Sequence, residues 1–520
     1  MRPLRPVVLA LVLALVGLSA CSLPLPGPRP SSPAPLPSVA ATPADGRPLQ
    51  PVPDVLVPGM TDPPAGSGAA RYTAQRLSWE PCGGRVQCAR VQAPLDWSRP
   101  DGQAITLTVG RLPATASPRI GSLFINPGGP GGSGLDYLRF FDVRGLTRYD
   151  IVSWDPRGVG RSTPVQCSDD ATLDRLFSID GSPDDTAEQS ALNGAVAGFG
   201  RDCLRRSGQL LAHISTADTV RDLDLLRGLV GDARLHYFGS SYGTDIGAHY
   251  AEAYPERTGP MVLDGAVDLG DDSRTDQLQG FERALDHFAT WCAGQPCPLG
   301  SSRGAVLDAV SVLLQRLDGS PLPGSGSRPL TQQLAVSGIV YPLYSGRAGW
   351  PVLSQALAEA VDQRKGGRLL ALADAANDRG RDGRYTQFAD AFPAIRCLDS
   401  RNTSVAAADR KATGLVAKAP VLGPYAGADL VCPLWPVAPA PAAPPVDAAG
   451  VGTPIVVVGT TGDPATPYEW AKEMDAQLRS SVLVTFAGEG HLAYDKSPCV
   501  RTLVQDYLVE GRVPADGTRC

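Results

Sequence analysis

Six short, mostly apolar runs closed by Gly or Asp recur along this chain. They are SLFINPGG (122–129), YDIVSWDPRG (149–158), RLHYFG (234–239), PMVLDGA (260–266), TPIVVVGT (453–460) and VLVTFAG (482–488). Runs of that length, apolar on both side-chain sets, predict parallel strands buried on both faces. Between them, apolar positions three and four apart predict helices over 219–230, 245–254 and 468–477, the second stopped by Pro255. Strand alternating with helix predicts an α/β fold around a mostly parallel sheet. The alternation lapses between about 268 and 450, where FERALDHFATWC, AVLDAVSVLLQRL, WPVLSQALAEAVDQ and RLLALADAA all read as helices. A proline-rich return, WPVAPAPAAPPVDAAG, closes that stretch at 435–450. The expected plan is a core in two pieces, 79–267 and 451–520, with 268–450 as a helical insertion placed to act as a lid.

The pattern before Trp79 is of another kind. Arg2 and Arg5 precede an apolar stretch from Val7 to Leu18, which is signal-peptide length and short of the ~20 residues that span a bilayer. It ends in Leu18-Ser19-Ala20-Cys21, which resembles the lipobox of bacterial lipoproteins; residues 1–21 are read as a signal cut before a lipidated Cys21. Residues 22–68 hold fourteen prolines and little charge, so 22–70 is expected to be an extended tether without a core. The chain is thus expected outside the cytoplasm, held at the membrane or released.

Composition narrows the class further. A net charge of −6, with 47 Lys and Arg against 53 Asp and Glu and no basic run, argues against a nucleic-acid partner. Without Cys21 ten cysteines remain, an even number suited to disulfides in an exported chain. Sequence does not fix their pairing; joining neighbours in order (82–88, 167–203, 292–297, 397–432, 499–520) closes the shortest loops. No CxxC pair or zinc-like Cys/His spacing occurs, so neither metal nor cofactor is expected, and the chain is expected to be a monomer.

The chemistry centres on LHYFGSSYGTDIG, residues 235–247. Ser241 lies in Gly-x-Ser-x-Gly directly between a strand and a helix, the context of a nucleophile elbow. A second match around Ser302 follows a loop-like QPCPLG and is read as chance. A serine hydroxyl needs a base. Of the five histidines, His236 and His249 belong to the strand and helix flanking Ser241, His213 precedes the strand's helix, and His287 falls in the insertion. His491, in the glycine-rich loop after the last strand, is left as the base. The acid is Asp463 in VVVGTTGDPATP, with Asp264 in VLDGAVD as its competitor. For the oxyanion, the N–H of Tyr242 and one from the loop INPGGPGGSG are expected, Gly129 first and Gly128 as the alternative.

NPGGPGGSG, DPRGVGRS, GSSYGT, LDGAVD, AIRCLD, GDPATP and GEGH, in this order, together resemble the secreted tripeptidyl aminopeptidases of actinobacteria. These are prolyl-iminopeptidase-like serine hydrolases, and the mycobacterial cell-envelope serine protease/carboxylesterase group is similar. The resemblance implies an α/β-hydrolase core with a helical lid and release of short peptides, tripeptides above all, from free N-termini. Carboxylester hydrolysis is the alternative. Pro127 stands where prolyl iminopeptidases have the His of HGGPGG, which disfavours single-proline release. An anion is then required for the substrate ammonium; Asp399 of AIRCLD and Glu282 of the insertion are the candidates. Thr466 either lines the site or caps the helix that follows.

Overall fold

The computed structural model describes residues 50–270, 276–401, 404–441 and 443–520. The signal, the lipobox with Cys21 and most of the expected tether lie outside these residues. Thirteen strands are present among the described residues. They are β1 (Met60–Thr61), β2 (Glu80–Gly83), β3 (Val86–Pro94), β4 (Ala104–Leu112), β5 (Gly121–Asn126), β6 (Tyr149–Asp155), β7 (Leu235–Ser240), β8 (Thr258–Asp264), β9 (Leu322–Ser325), β10 (Arg328–Leu330), β11 (Ile455–Gly462), β12 (Ser481–Glu489) and β13 (Thr518–Arg519). Eleven form one sheet in the order β13-β12-β11-β8-β7-β5-β6-β4-β3-β2, with β1 on β4. Pairing is parallel from β6 to β13 across the sheet and antiparallel at the β4-β3-β2 end.

The six runs read from sequence are β5, β6, β7, β8, β11 and β12; the first five are covered on both faces, as their apolar character requires, whereas β12 near the sheet's edge buries only Val484 and Thr485. Along β5, Phe124 packs on the face with most of the helices, while Leu123 and Ile125 pack with Phe141, Tyr494 and Val504 on the other. β3 and β4 were not foreseen. Their sequences, VQCARVQAP and AITLTVGRL, alternate apolar residues with Gln, Arg and Thr, the pattern of a sheet margin rather than its centre.

The end of the expected tether belongs to the fold. Met60 and Thr61 pair with Ile105 and Ala104, and Val57 is buried in the core. The tether boundary at residue 70 is therefore corrected to before Val57. Proline density concealed this, because an edge strand of two residues leaves no periodic signal.

Two insertions cover the carboxyl ends of the strands. Between β6 and β7 lie helices Asp170–Ser178 and Thr186–Ser207, and between β8 and β11 lie seven long helices among the described residues, from Gln277–Ala293 to Val405–Val416. The hairpin β9-β10 interrupts the second set, where the apolar pattern predicts helices alone. Disulfides join Cys82–Cys88, Cys167–Cys203, Cys292–Cys297, Cys397–Cys432 and Cys499–Cys520.

Candidate active site

Ser241 occupies the turn between β7 and the helix Gly243–Ala253 with φ +55°, a left-handed conformation that costs a residue with a Cβ. Its neighbours hold it there: its N–H donates to Asp264 O at 2.9 Å, and the Thr244 N–H and hydroxyl both donate to its carbonyl at 2.7 Å. The flanking glycines are needed for space. A Cβ on Gly239 would lie 2.3 Å from Gly243 O, and one on Gly243 2.9 Å from Asn126 O. The turn closes only without side chains at those two places.

The loop after β5 lies against the elbow, since a Cβ on Gly128 would be 2.8 Å from Tyr242 N. The Gly128 N–H donates to Asn126 Oδ1 at 2.9 Å, whereas the N–H groups of Gly129 and Tyr242 have no partner among the described residues. This favours Gly129 over Gly128 as the second donor, with Asn126 fixing the loop.

His491 follows β12. Its Nδ1 donates to both oxygens of Asp463 at 2.9 Å, and its Nε2 is buried without a partner. The ring is close to the elbow: a Cβ on Gly265, the residue after the one that binds Ser241 N–H, would be 3.2 Å from His491 Cε1. Asp463 also accepts N–H bonds from Ala465, Thr466 and Leu492 and the Thr466 hydroxyl at 3.0 Å. Burial alone would raise its pKa; the charge of His491 and these donors outweigh burial and hold the carboxyl below its ordinary range.

Asp264, the competing acid, has another task. It accepts N–H bonds from Ala493 and Tyr494 at 2.9–3.1 Å and so anchors the loop just past His491, and burial pushes its pKa up to about 6. Thr466 is not the helix cap, because Pro467 holds that position; its hydroxyl lies on the acid, 3.2 Å from His491 Nδ1. The carboxylates named for the substrate ammonium are corrected similarly. Asp399 accepts the N–H and hydroxyl of Thr216 at the start of helix Thr216–Leu229. Burial, with Asp245 nearby, pushes its pKa up to about 7. Glu282 accepts the N–H groups of Val421 and Leu422 at 3.0 Å and pins the lid to itself. Both carboxylates are thus engaged by backbone N–H groups of other elements, Asp399 through Thr216 and Glu282 through Val421 and Leu422.

Three contributors left no sequence signal. Tyr344, beyond the lid helix Gln332–Leu343, accepts the His491 N–H at 2.8 Å and sets its ring edge-on to the imidazole at 5.6 Å. Lys496 donates to the His491 carbonyl. Asn126, the last residue of β5, is the third; it begins the quoted NPGGPGGSG run, but nothing there marked its side chain as the group that fixes the loop. Ser302, in the second Gly-x-Ser-x-Gly, caps helix Arg303–Gly319 by accepting from Ala305 N–H.

A family model for the alpha/beta hydrolase fold matches residues 121–300, and one for TAP-like proteins matches residues 419–520, which include Asp463 and His491. Serine protease Hip1 of Mycobacterium tuberculosis is 37% identical over 484 residues, 86% of this chain and 91% of that protein. Carboxylesterase B of the same species is 36% identical over 499 residues, 89% and 94% of the two chains. Tripeptidyl aminopeptidase of Streptomyces lividans is 31% identical over 488 residues, 88% of each. Identity at that level along nearly the whole length, on this sheet and around this Ser, Asp and His, places the protein among the TAP-like serine hydrolases of the α/β-hydrolase fold.

Proposed function

We propose that the protein is a serine peptidase that releases short peptides, tripeptides first, from free N-termini through an acyl-enzyme. The observation that carries this is His491, held by Asp463 at Nδ1 with Nε2 unpartnered, on the loop packed against Gly265 near the left-handed turn of Ser241. In this reading Ser241 Oγ attacks the scissile carbonyl carbon and its proton passes to His491 Nε2. Asp463 keeps the other ring nitrogen protonated and stabilises the imidazolium. The N–H groups of Tyr242 and Gly129 take the negative oxygen. His491 then protonates the leaving amine, and a water activated by the same Nε2 releases the acyl group. The choice of peptides is supported by the relatives named as a serine protease and a tripeptidyl aminopeptidase.

Ester hydrolysis is the second reading, favoured by the likeness to carboxylesterase B. The test is kcat/KM for Ala-Ala-Pro amides with free and acetylated amines, beside p-nitrophenyl esters of rising acyl length. A strong preference for the free amine supports the exopeptidase; indifference to the amine with sensitivity to acyl length makes the protein an esterase. The chain is further proposed to be exported and lipid-anchored through Cys21, on the strength of the Leu-Ser-Ala-Cys sequence after the apolar stretch. Cys21→Ala is expected to release the protein from membranes or leave it uncleaved; an N-terminal peptide with an unmodified Cys21 thiol, read by mass spectrometry, would refute the anchor.

A further inference from the structure

Tyr242 offers its N–H to the oxyanion, and its side chain is engaged elsewhere. It opens helix Gly243–Ala253 at φ −52° and ψ −23° without a side-chain cap bond. Its phenol instead meets the Thr216 hydroxyl at 2.5 Å in a buried contact. Thr216 in turn donates its hydroxyl proton to Asp399 Oδ2 at 2.7 Å, and its N–H bonds both Asp399 oxygens at 3.1 Å. A hydroxyl has one proton to give, so with Thr216 donating to Asp399 the phenol donates to Thr216. Burial, with Asp399 and Asp245 nearby, holds that phenol well above its ordinary pKa, and it stays a donor. Hydrogen bonds therefore run one way, from Tyr242 to Thr216 to Asp399.

Asp399 is the last residue of lid helix Phe388–Asp399, and the start of the same helix backs the other donor. A Cβ on Gly129 would lie 3.2 Å from Phe388 Cε2, and one on Gly131 3.0 Å from both Ala391 Cβ and Phe392 N. Gln387, just before the helix, fastens that end: it accepts the Gly160 N–H and donates to the carbonyls of Gly158 and Val165. One helix thus touches the Gly129 loop at its start and, through Thr216, the Tyr242 side chain at its end. Two oxyanion donors act together only where both N–H groups stand at hydrogen-bond distance from the developing oxygen, and a displacement of about 1 Å is costly.

We propose that Asp399 and Thr216 are positioning residues for the oxyanion hole: through the Tyr242 phenol they fix the elbow donor relative to the helix that backs Gly129. This rests on the acyl-enzyme reading, with Ser241 as nucleophile, and holds for amide and ester substrates alike. A role confined to holding the start of helix Thr216–Leu229 would affect stability and leave the rate of the folded enzyme alone.

The test uses three variants of the full-length protein. Tyr242→Phe removes the phenol oxygen and keeps the ring, Thr216→Val removes the hydroxyl at constant shape, and Asp399→Ala removes the acceptor. Each is assayed on the Ala-Ala-Pro amide for kcat and KM, and for Ki of the matching trifluoromethyl ketone. Ser241 Oγ adds to that ketone's carbonyl carbon, and the hemiketal oxygen takes the oxyanion's place. Each variant is expected to lower kcat about tenfold, leave KM within about twofold and raise Ki about tenfold. Joining Tyr242→Phe with Thr216→Val should cost no more than either alone, because both break the same chain. Thr216→Ser, which returns the hydroxyl, should recover most of the loss. Thermal melting establishes folding, and should Thr216→Val or Asp399→Ala not fold, Tyr242→Phe decides. Unchanged kcat and Ki in the folded variants, or a change confined to KM or to melting temperature, overturns the proposal. A wild type that turns over only p-nitrophenyl esters overturns the peptidase reading, and the same measurements with the ester and an alkyl trifluoromethyl ketone then decide the positioning role.

Discussion

The hydroxyl of Ser241 is carried by a backbone at φ +55° that its neighbours impose, so an alanine there keeps the turn and loses only the oxygen. Ser241→Ala is expected to lower kcat by several orders of magnitude with an unchanged melting curve. Ser302→Ala should do the reverse: no loss of rate, and about 1 kcal/mol of stability lost with the cap on Ala305. Rates on a peptide amide and melts of both variants check the pair. The two aspartates separate in the same way. Asp463→Asn should lower kcat by about 10⁴-fold because the histidine tautomer is lost. Asp264→Asn should act less on rate and more on stability, since it loosens the N–H groups of Ala493 and Tyr494. At this scale the candidates Ser241, Asp463 and His491 were legible because each lies within two residues of the end of a strand that its own apolar run announces. Asp399 and Glu282 were misread because a carboxylate's partners here, Thr216 and Val421–Leu422, lie more than a hundred residues away.

Between elements, Asp399 ties the end of helix Phe388–Asp399 to the start of helix Thr216–Leu229. From there the contact runs on, since the Thr216 hydroxyl meets the Tyr242 hydroxyl at 2.5 Å. The groups around it are Asp245, which raises its pKa, and the cationic His249, which lowers it; burial is the largest influence, and the carboxyl reaches about 7 from an ordinary 3.8. The folded protein therefore holds this proton more tightly than the unfolded chain. The contribution to stability is complete below pH 4 and is lost as pH rises from about 4 to 7. Asp399→Asn should remove that part of the slope, so its melting temperature should gain on wild type as pH climbs from 4 to 7. Thermal melts across that range check it, and a constant difference between the proteins would contradict it. The elements with unbroken apolar runs were readable in the sequence. Those at the sheet's antiparallel margin were not, because β3 and β4 alternate as surface strands do and β1 is a single pair of residues.

Across the whole molecule, the disulfides divide by the length of chain they close. Cys167–Cys203 and Cys397–Cys432 span 36 and 35 residues, and Cys82–Cys88 and Cys292–Cys297 only 6 and 5. Chain entropy alone assigns about 4 kcal/mol to each long loop and about 2 kcal/mol to each short one. Removing the Cys397–Cys432 pair with two alanines should therefore lower stability more than removing Cys82–Cys88, by denaturant titration. The lid itself meets the His491 loop main chain to main chain: the His491 N–H bonds Tyr344 O, and a Cβ on Gly346 would strike Glu489 O at 2.5 Å. His287, on lid helix Gln277–Ala293, adds a bond to Glu489 at 3.1 Å. The helical insertion and the loop carrying His491 are therefore packed as one piece. A chimaera that takes its lid from a relative can trade specificity while keeping its base only if the crossover leaves residues 344–346 with their own 489–491.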